Sequence, residues 1–196
     1  MAKKKEAEQA LPTVEHIEQE ILRERYDRTY KNTLLSTISV LVIVAAIAIL
    51  FSMLVAPVVQ ITGEGMSPTL KSNDILLLLK KNTFNRGDLV AFYYNNKLLV
   101  RRVIGLAGEN VMIDAEGKVT VDGIPLDEPY IDEKSLGGSD ITYPYVVPSG
   151  RVFVLGDNRT SATDSRHAIV GCVSTEQILG YAVFRIWPRD GIGPIQ

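Results

Sequence analysis

A mainly β, antiparallel and barrel-like domain lying outside the cytoplasm, carried on one transmembrane helix near the amino terminus, is the fold class this sequence predicts. Three observations predict it: a long segment without a charged side chain between Lys31 and Glu64, positive charge crowded on only one flank of that segment, and short apolar runs bounded by turn residues thereafter. The 196 residues suffice for one folded domain with accessories, since a useful core needs on the order of 100 residues.

Residues 1–31 read as a cytoplasmic segment, partly an amphipathic helix. Val14, Ile17 and Ile21 recur at helical spacing, Thr13 is placed to cap, and Glu15 sits near the positive helix end. The Lys3, Lys4, Lys5 run offers at most a weak contact with lipid headgroups. Residues 32–60 read as the transmembrane helix. A bilayer core about 30 Å thick needs roughly 20 apolar residues at helical rise. The stretch 34–59 is long enough with some tilt, and Pro57 marks its expected end. Too little soluble chain remains to cover such a helix on all sides as a core element. The late start and the length of the segment argue against a cleaved signal peptide. Arg23, Arg25, Arg28 and Lys31 precede the span, whereas the first Lys or Arg after it is Lys71. The positive-inside rule therefore places the amino terminus in the cytoplasm and residues 61–196 outside.

Beyond the anchor the apolar runs are strand-sized: 75–79, 88–94, 97–104, 111–113, 119–121, 151–155 and 180–187. Asn95-Asn96 between two aromatic and β-branched runs predicts a hairpin, and Glu116-Gly117 and Asp122-Gly123 supply further turns. A single helical turn is expected within 174–179. The segment 126–148, rich in Gly, Pro, Asp and Tyr, reads as a long loop over the sheet, and the apolar region 61–79 as part of a membrane-facing surface. Short strands with frequent Gly and Asn favour the antiparallel, barrel-like domain.

Charge and composition exclude several function classes. A formal net charge of -2 supplies no basic face for nucleic acid. Cys172 is the only cysteine, so neither a disulfide nor a thiolate metal cage forms within one chain, and it reads as a small buried apolar residue. His16 and His167 fall on opposite sides of the membrane and cannot share a metal. No metal and no cofactor is expected.

Four motifs, in order behind the anchor, resemble those of bacterial type I signal peptidases. Gly65-Met66-Ser67-Pro68-Thr69-Leu70 is similar to that family's Ser-Met-x-Pro-Thr-Leu box. Arg86-Gly87-Asp88-Leu89-Val90 resembles the strand box that follows. Arg101-Arg102-Val103-Ile104-Gly105-Leu106 resembles the Lys-Arg-Val-Ile-Gly-Leu box, with Ala107 where Pro is usual. Gly156-Asp157-Asn158-Arg159 and Asp164-Ser165-Arg166 match a Gly-Asp-Asn-Arg-x-x-Ser-x-Asp-Ser-Arg box at its spacing. Each alone is weak, but four in sequence make accident very improbable. The likeness covers about residues 58–188. It implies a single-pass protein of the bacterial plasma membrane with the β-fold that these peptidases share with the self-cleaving SOS repressors.

The resemblance also implies chemistry, and here the chain departs from the pattern. The family cuts an amide with a serine hydroxyl activated by a neutral, desolvated lysine. Alignment places Gly65 at the nucleophile, Arg101 at the base, and Ala162 at the serine that orients the lysine. Glycine has nothing to attack with, and a guanidinium with pKa above about 12 presents donors only. No catalytic residue is thus retained. Ser67 is the nearest substitute hydroxyl, but in extended chain it lies about 7 Å beyond Gly65. Lys97 is on the order of 13 Å from Arg101 along one strand, and Ser161 is expected to point away. With no triad partner, neither histidine supports hydrolysis.

The remaining matched residues carry structural expectations. Asp157, Arg159, Asp164, Ser165 and Arg166, with Gly156 and Asn158, brace a loop against the sheet, while Met66 and Pro68 shape the mouth of a substrate cleft. That cleft either holds an extended segment of an exported protein as an added strand or is a vestige. The preferred reading is a non-catalytic homologue in the membrane that binds or assists an exported preprotein or surface protein, similar to homologues associated with pilus assembly. The rival is an active signal peptidase with a relocated nucleophile. A degenerate paralogue is the third reading.

Overall fold

The computed structural model describes residues 14–195, so Thr13 and the Lys3 to Lys5 run lie outside the described residues. The chain divides into two compact units, Met1–Leu50 and Phe51–Gln196.

The described part of the first unit, residues 14–50, lies within α1 (Val14–Leu54), a single helix of 41 residues with no buried side chain. The expected amphipathic helix and membrane span are therefore one uninterrupted element, long and apolar enough to cross a membrane. Hydroxyls that would otherwise be unpaired in an apolar environment turn back on the helix: Thr29, Thr33, Thr37 and Ser39 each donate to the carbonyl four residues earlier. The helix stops at Leu54, before the expected end at Pro57. Pro57 has no N–H to continue the ladder and biases Ala56 towards extended backbone.

The second unit is built from antiparallel strands: β1 (Val58–Gln60), β2 (Ile75–Leu79), β3 (Leu89–Tyr94), β4 (Lys97–Gly105), β5 (Asn110–Ile113) and β6 (Val119–Val121). There follow β7 (Ile124–Pro125), β8 (Tyr145–Val146), β9 (Arg151–Leu155), β10 (Val173–Ser174), β11 (Ile178–Trp187) and β12 (Gly193–Pro194). One sheet has the order β1-β2-β11-β3-β4-β9-β10, with β12 added to β11, and a smaller sheet has the order β7-β6-β5-β8. Among the described residues the pairing does not close on itself, so the barrel-like expectation resolves into two sheets with open edges. A 3-10 turn over Thr175–Gln177 stands where one helical turn was expected.

Local chemistry accounts for the register. Asn95 and Asn96 adopt φ of 47° and 60°, the left-handed pair that a two-residue hairpin requires, and so align Tyr94 with Lys97 and Val90 with Arg101. In β2 the residues alternate, sending Leu76 and Leu78 into a core cluster with Ile61, Met66, Leu70 and Leu89. Within the region 61–79, expected to line a membrane-facing surface, Ile61, Met66, Leu70, Leu76 and Leu78 are buried in the core instead. Exposed apolar side chains of this unit include Val58 on β1 and Phe184, Ile186 and Trp187 on β11, and others are scattered over β3, β5, β7 and β8. Gly105 lets the sheets approach, since a Cβ there would lie 3.1 Å from Val147 Cγ2 and 3.3 Å from Phe153 Cβ. The segment 126–148 is irregular except that β8 pairs with β5, where a loop throughout was expected, and Leu126, Leu136, Ile141 and Tyr143 pack against a second cluster containing Val111, Phe153 and Cys172.

Candidate active site

Residues 61–74 leave β1 and return to β2 through a compact loop. Ile61 N–H donates to the Asp74 carbonyl and Asn73 N–H to the Ile61 carbonyl, which closes its base. Inside it the chain coils: Ser67 N–H donates to Glu64 O and Leu70 N–H to Met66 O. The extended geometry expected between Gly65 and Ser67 is therefore replaced by turns. Met66 and Leu70 fill the core, exposed by 2% and 0%, because the coiled backbone turns these apolar side chains inward. Met66 is consequently a core anchor and not the cleft wall expected, while Pro68 is exposed.

Gly65 is held beside the last box by its carbonyl, which accepts from Asn158 N–H at 3.2 Å. Arg101 reaches the same place from β4. Its Nε donates to the Thr163 carbonyl at 2.8 Å and its Nη1 to the Val100 carbonyl at 2.6 Å. A Cβ on Gly65 would lie 2.9 Å from Arg101 Nη2 and 3.2 Å from Cζ, so the guanidinium fills the space a side chain at 65 would enter. Arg101 is only 6% exposed. Burial lowers its pKa from the ordinary value; Asp164 and Asp157 oppose this and Arg166 adds to it. An arginine so shifted is still a cation at neutral pH. Ala162 is buried near Gly156, whose own Cβ would collide with Ala162 Cβ and the Gly65 carbonyl. Gly65, Arg101 and Ala162 thus belong to one packed cluster.

The last box braces that cluster with buried ion pairs. Asp157 accepts from Arg102 Nε and Nη2 at 2.9 and 2.7 Å, and from the Thr69 hydroxyl at 2.5 Å. Arg159 Nη2 pairs with Glu128 at 2.5 Å, and Arg166 Nη2 with Asp164 at 2.9 Å. Ser165 accepts from Val154 N–H, and Gly156 N–H donates to Asp164, which ties the loop to β9. Arg166 also donates to the carbonyls of Leu136 and Arg159. Asn158 Oδ1 accepts from Thr160 and from the N–H of Ser161.

Several participants were not visible from the sequence. Glu128 sits in a segment that reads as loop, and Tyr130, whose ring lies 3.8 Å from Arg102 Cζ, follows it. Only Thr69 had a signal, its place inside the first motif. The rival hydroxyl and amine remain apart: Ser67 lines a cavity of about 190 Å³ with Asp132, Glu133, Asn158 and Thr160, and no lysine lines it. Lys97 is exposed at the start of β4, opposite Tyr94. Ser161 is exposed, and His167 sits against the Asp164 N–H, 3.5 Å from its Nδ1. His16 lies on α1.

Residues 34–187 match the family model described as signal peptidase, peptidase S26. A signal peptidase I of Bacillus caldolyticus is 38% identical over 144 residues, covering 65% of this chain and 78% of that one. A signal peptidase I of Leptolyngbya laminosa is 36% identical over 156 residues, covering 72% and 73%. A solved signal peptidase I from Enterococcus faecalis V583 is 30% identical and aligns with 50% of this chain and 96% of its own, with a TM-score of 0.42. The family match spans more than half of the sequence and takes in all four motifs, so this chain belongs to the signal peptidase family, peptidase S26.

Proposed function

We propose that this family member is non-catalytic and binds or assists exported proteins, such as surface or pilus subunits, at the outer face of the membrane. One observation carries the reading: the Arg101 guanidinium packs on the bare backbone of Gly65. Amide cleavage of the family's kind needs a hydroxyl oxygen beside a nitrogen that can accept its proton. At this place the chain offers no hydroxyl and a permanent cation. In this reading the amino terminus is cytoplasmic, as the charge on Arg23, Arg25, Arg28 and Lys31 requires, and the β-domain is extracytoplasmic. The names of its relatives favour a second reading, an active peptidase with a relocated nucleophile, for which Ser67 is the candidate.

The test is cleavage of a leader-bearing preprotein by the purified full-length protein, beside the triple variant Gly65→Ser, Arg101→Lys, Ala162→Ser. No turnover by the parent and gained turnover in the variant is the expected result. Turnover by the parent that disappears in Ser67→Ala would establish the second reading. Crosslinking in cells from a probe at Pro68 should capture an exported protein.

A further inference from the structure

Helix α1 runs unbroken from Val14 to Leu54, so the part that precedes the membrane span is a rigid continuation of it. At about 1.5 Å per residue the helix carries Ile21 about 15 Å and Val14 about 26 Å beyond Lys31, the last charge before the span. The headgroup layer adds only about 5–8 Å to each side of the hydrocarbon core, so lipid does not reach these residues. Three of the four Val, Ile and Leu residues there, Val14, Ile17 and Ile21, lie on one stripe, with Leu22 beside it. They are 73%, 44% and 47% exposed, and no side chain of α1 is buried. Apolar side chains held in water at spacings of three and four form the seam of a helix pair.

Charge indicates what covers this seam. Written as heptads from Val14, the stripe takes the first and fourth positions, and Glu24, Arg28 and Lys31 continue it. Glu20 holds a seventh position and Arg25 the fifth position of the next heptad. In two parallel helices these positions face each other, so Glu20 meets Arg25 of a second copy, twice by symmetry, and Asp27 meets the neutral Asn32. Glu24 and Arg28 bring two charges of each sign into the seam and leave no net charge between the helices. Lys31 lies at the bilayer surface, where its ammonium reaches lipid phosphates. Direction comes from the membrane: two copies inserted alike are parallel.

We propose that α1 pairs with α1 of a second copy through the stripe from Val14 to Arg28, as a parallel coiled coil standing off the membrane. The inference rests on α1 spanning the bilayer and is independent of whether the β-domain cuts or binds. Three apolar layers do not hold free peptides together. Here the span keeps the segment helical and confines both copies to one membrane, which lowers the cost of association.

The test uses the full-length protein in phosphatidylcholine vesicles, with a cysteine introduced by Ile17→Cys on the seam or by Gln19→Cys on the opposite side of the helix. The parent, whose only cysteine is buried, is the blank. Mild oxidation should join Ile17→Cys about 10-fold faster than Gln19→Cys, into a product of twice the chain's mass. Energy transfer between labelled copies, followed as lipid is added, reads the affinity. Glu20→Arg and Arg25→Glu should each weaken pairing by about 5- to 30-fold, the range for turning two exposed attractions into repulsions, and the double reversal should restore it. Equal joining at 17 and 19 shows random collision and overturns the proposal, as does energy transfer that falls in proportion to dilution. A double reversal as weak as either single change overturns the parallel seam. In cells, a product of any other mass from Ile17→Cys gives the stripe to a different protein and overturns the second copy. None of these changes lies in the β-domain, so the result does not depend on how a variant of that domain folds.

Discussion

Arg102 grips Asp157 through two parallel hydrogen bonds, Nε to Oδ1 at 2.9 Å and Nη2 to Oδ2 at 2.7 Å, with both side chains buried. The pair joins β4 to the loop that carries Asn158 and Ala162, and the Thr69 hydroxyl adds the loop that carries Gly65. Asp157→Asn removes the counter-charge from a buried guanidinium and should cost about 3–5 kcal/mol. Urea unfolding of the full-length protein measures it. Replacing both partners with apolar residues should cost less than the single change; a double variant as unstable as the sum of two singles contradicts this account.

Glu128 fastens the irregular segment 126–144 to the same loop through Arg159. Glu128→Gln keeps the shape and removes the charge, weakening a charge-assisted contact by about 1.5–3 kcal/mol. The loss should be local, because the sheets do not depend on this pair for their ladders. Hydrogen exchange within 127–144 should accelerate by about 10- to 100-fold while β3 and β4 remain protected. Uniform acceleration across the domain would show that the pair holds the whole fold.

The strands were legible where the signal is local. Asn95-Asn96 announces its own turn, and the bounded apolar run 75–79 announces a strand, because both depend on residues within a few positions; being apolar throughout, that run does not announce which of its side chains are buried. The uncharged segment announces α1 for the same reason. Met66 was misplaced because its direction depends on whether the chain around Ser67 is coiled or extended, which is decided by hydrogen bonds to Glu64 and Asp74 and by the core that receives Leu70. Glu128 was illegible because its burial depends on a partner 31 residues away. The Gly65 and Arg101 juxtaposition was inferred from motif alignment alone; no period or turn in the chain encodes it.

Cys172 is 3% exposed in the second core cluster, and burial pushes its thiol up from 9.0 to about 11, with Tyr145 and Arg151 opposing. As pH rises above 9.0 the unfolded chain ionises first while the folded thiol keeps its proton, so stability present at neutral pH is lost between there and about 11. Burial also raises Tyr130 and Tyr143, which adds to the same alkaline loss. Urea midpoints across this range should fall, and less steeply in Cys172→Ala. At neutral pH the native thiol should resist an aromatic disulfide reagent and react fully once unfolded. Rapid native reaction would contradict the burial.

The contact between Gly65 and Arg101 predicts energetic coupling. An alanine at 65 places its Cβ 2.9 Å from Nη2 and 3.1 Å from Nη1, so the guanidinium must move. Movement breaks or lengthens the bonds to Thr163 and Val100 carbonyls, at a cost of about 1–2 kcal/mol. In Arg101→Met the side chain has no hydrogen bonds to lose and bends easily, so Gly65→Ala should then cost little. The Arg101→Met change by itself should be neutral or stabilising, because it removes an unpaired buried cation. A double-mutant cycle in urea should return a coupling of about 1 kcal/mol. Equal costs for Gly65→Ala in both backgrounds would mean that the guanidinium does not rest on this glycine, and the absence of a side chain at 65 would need another cause.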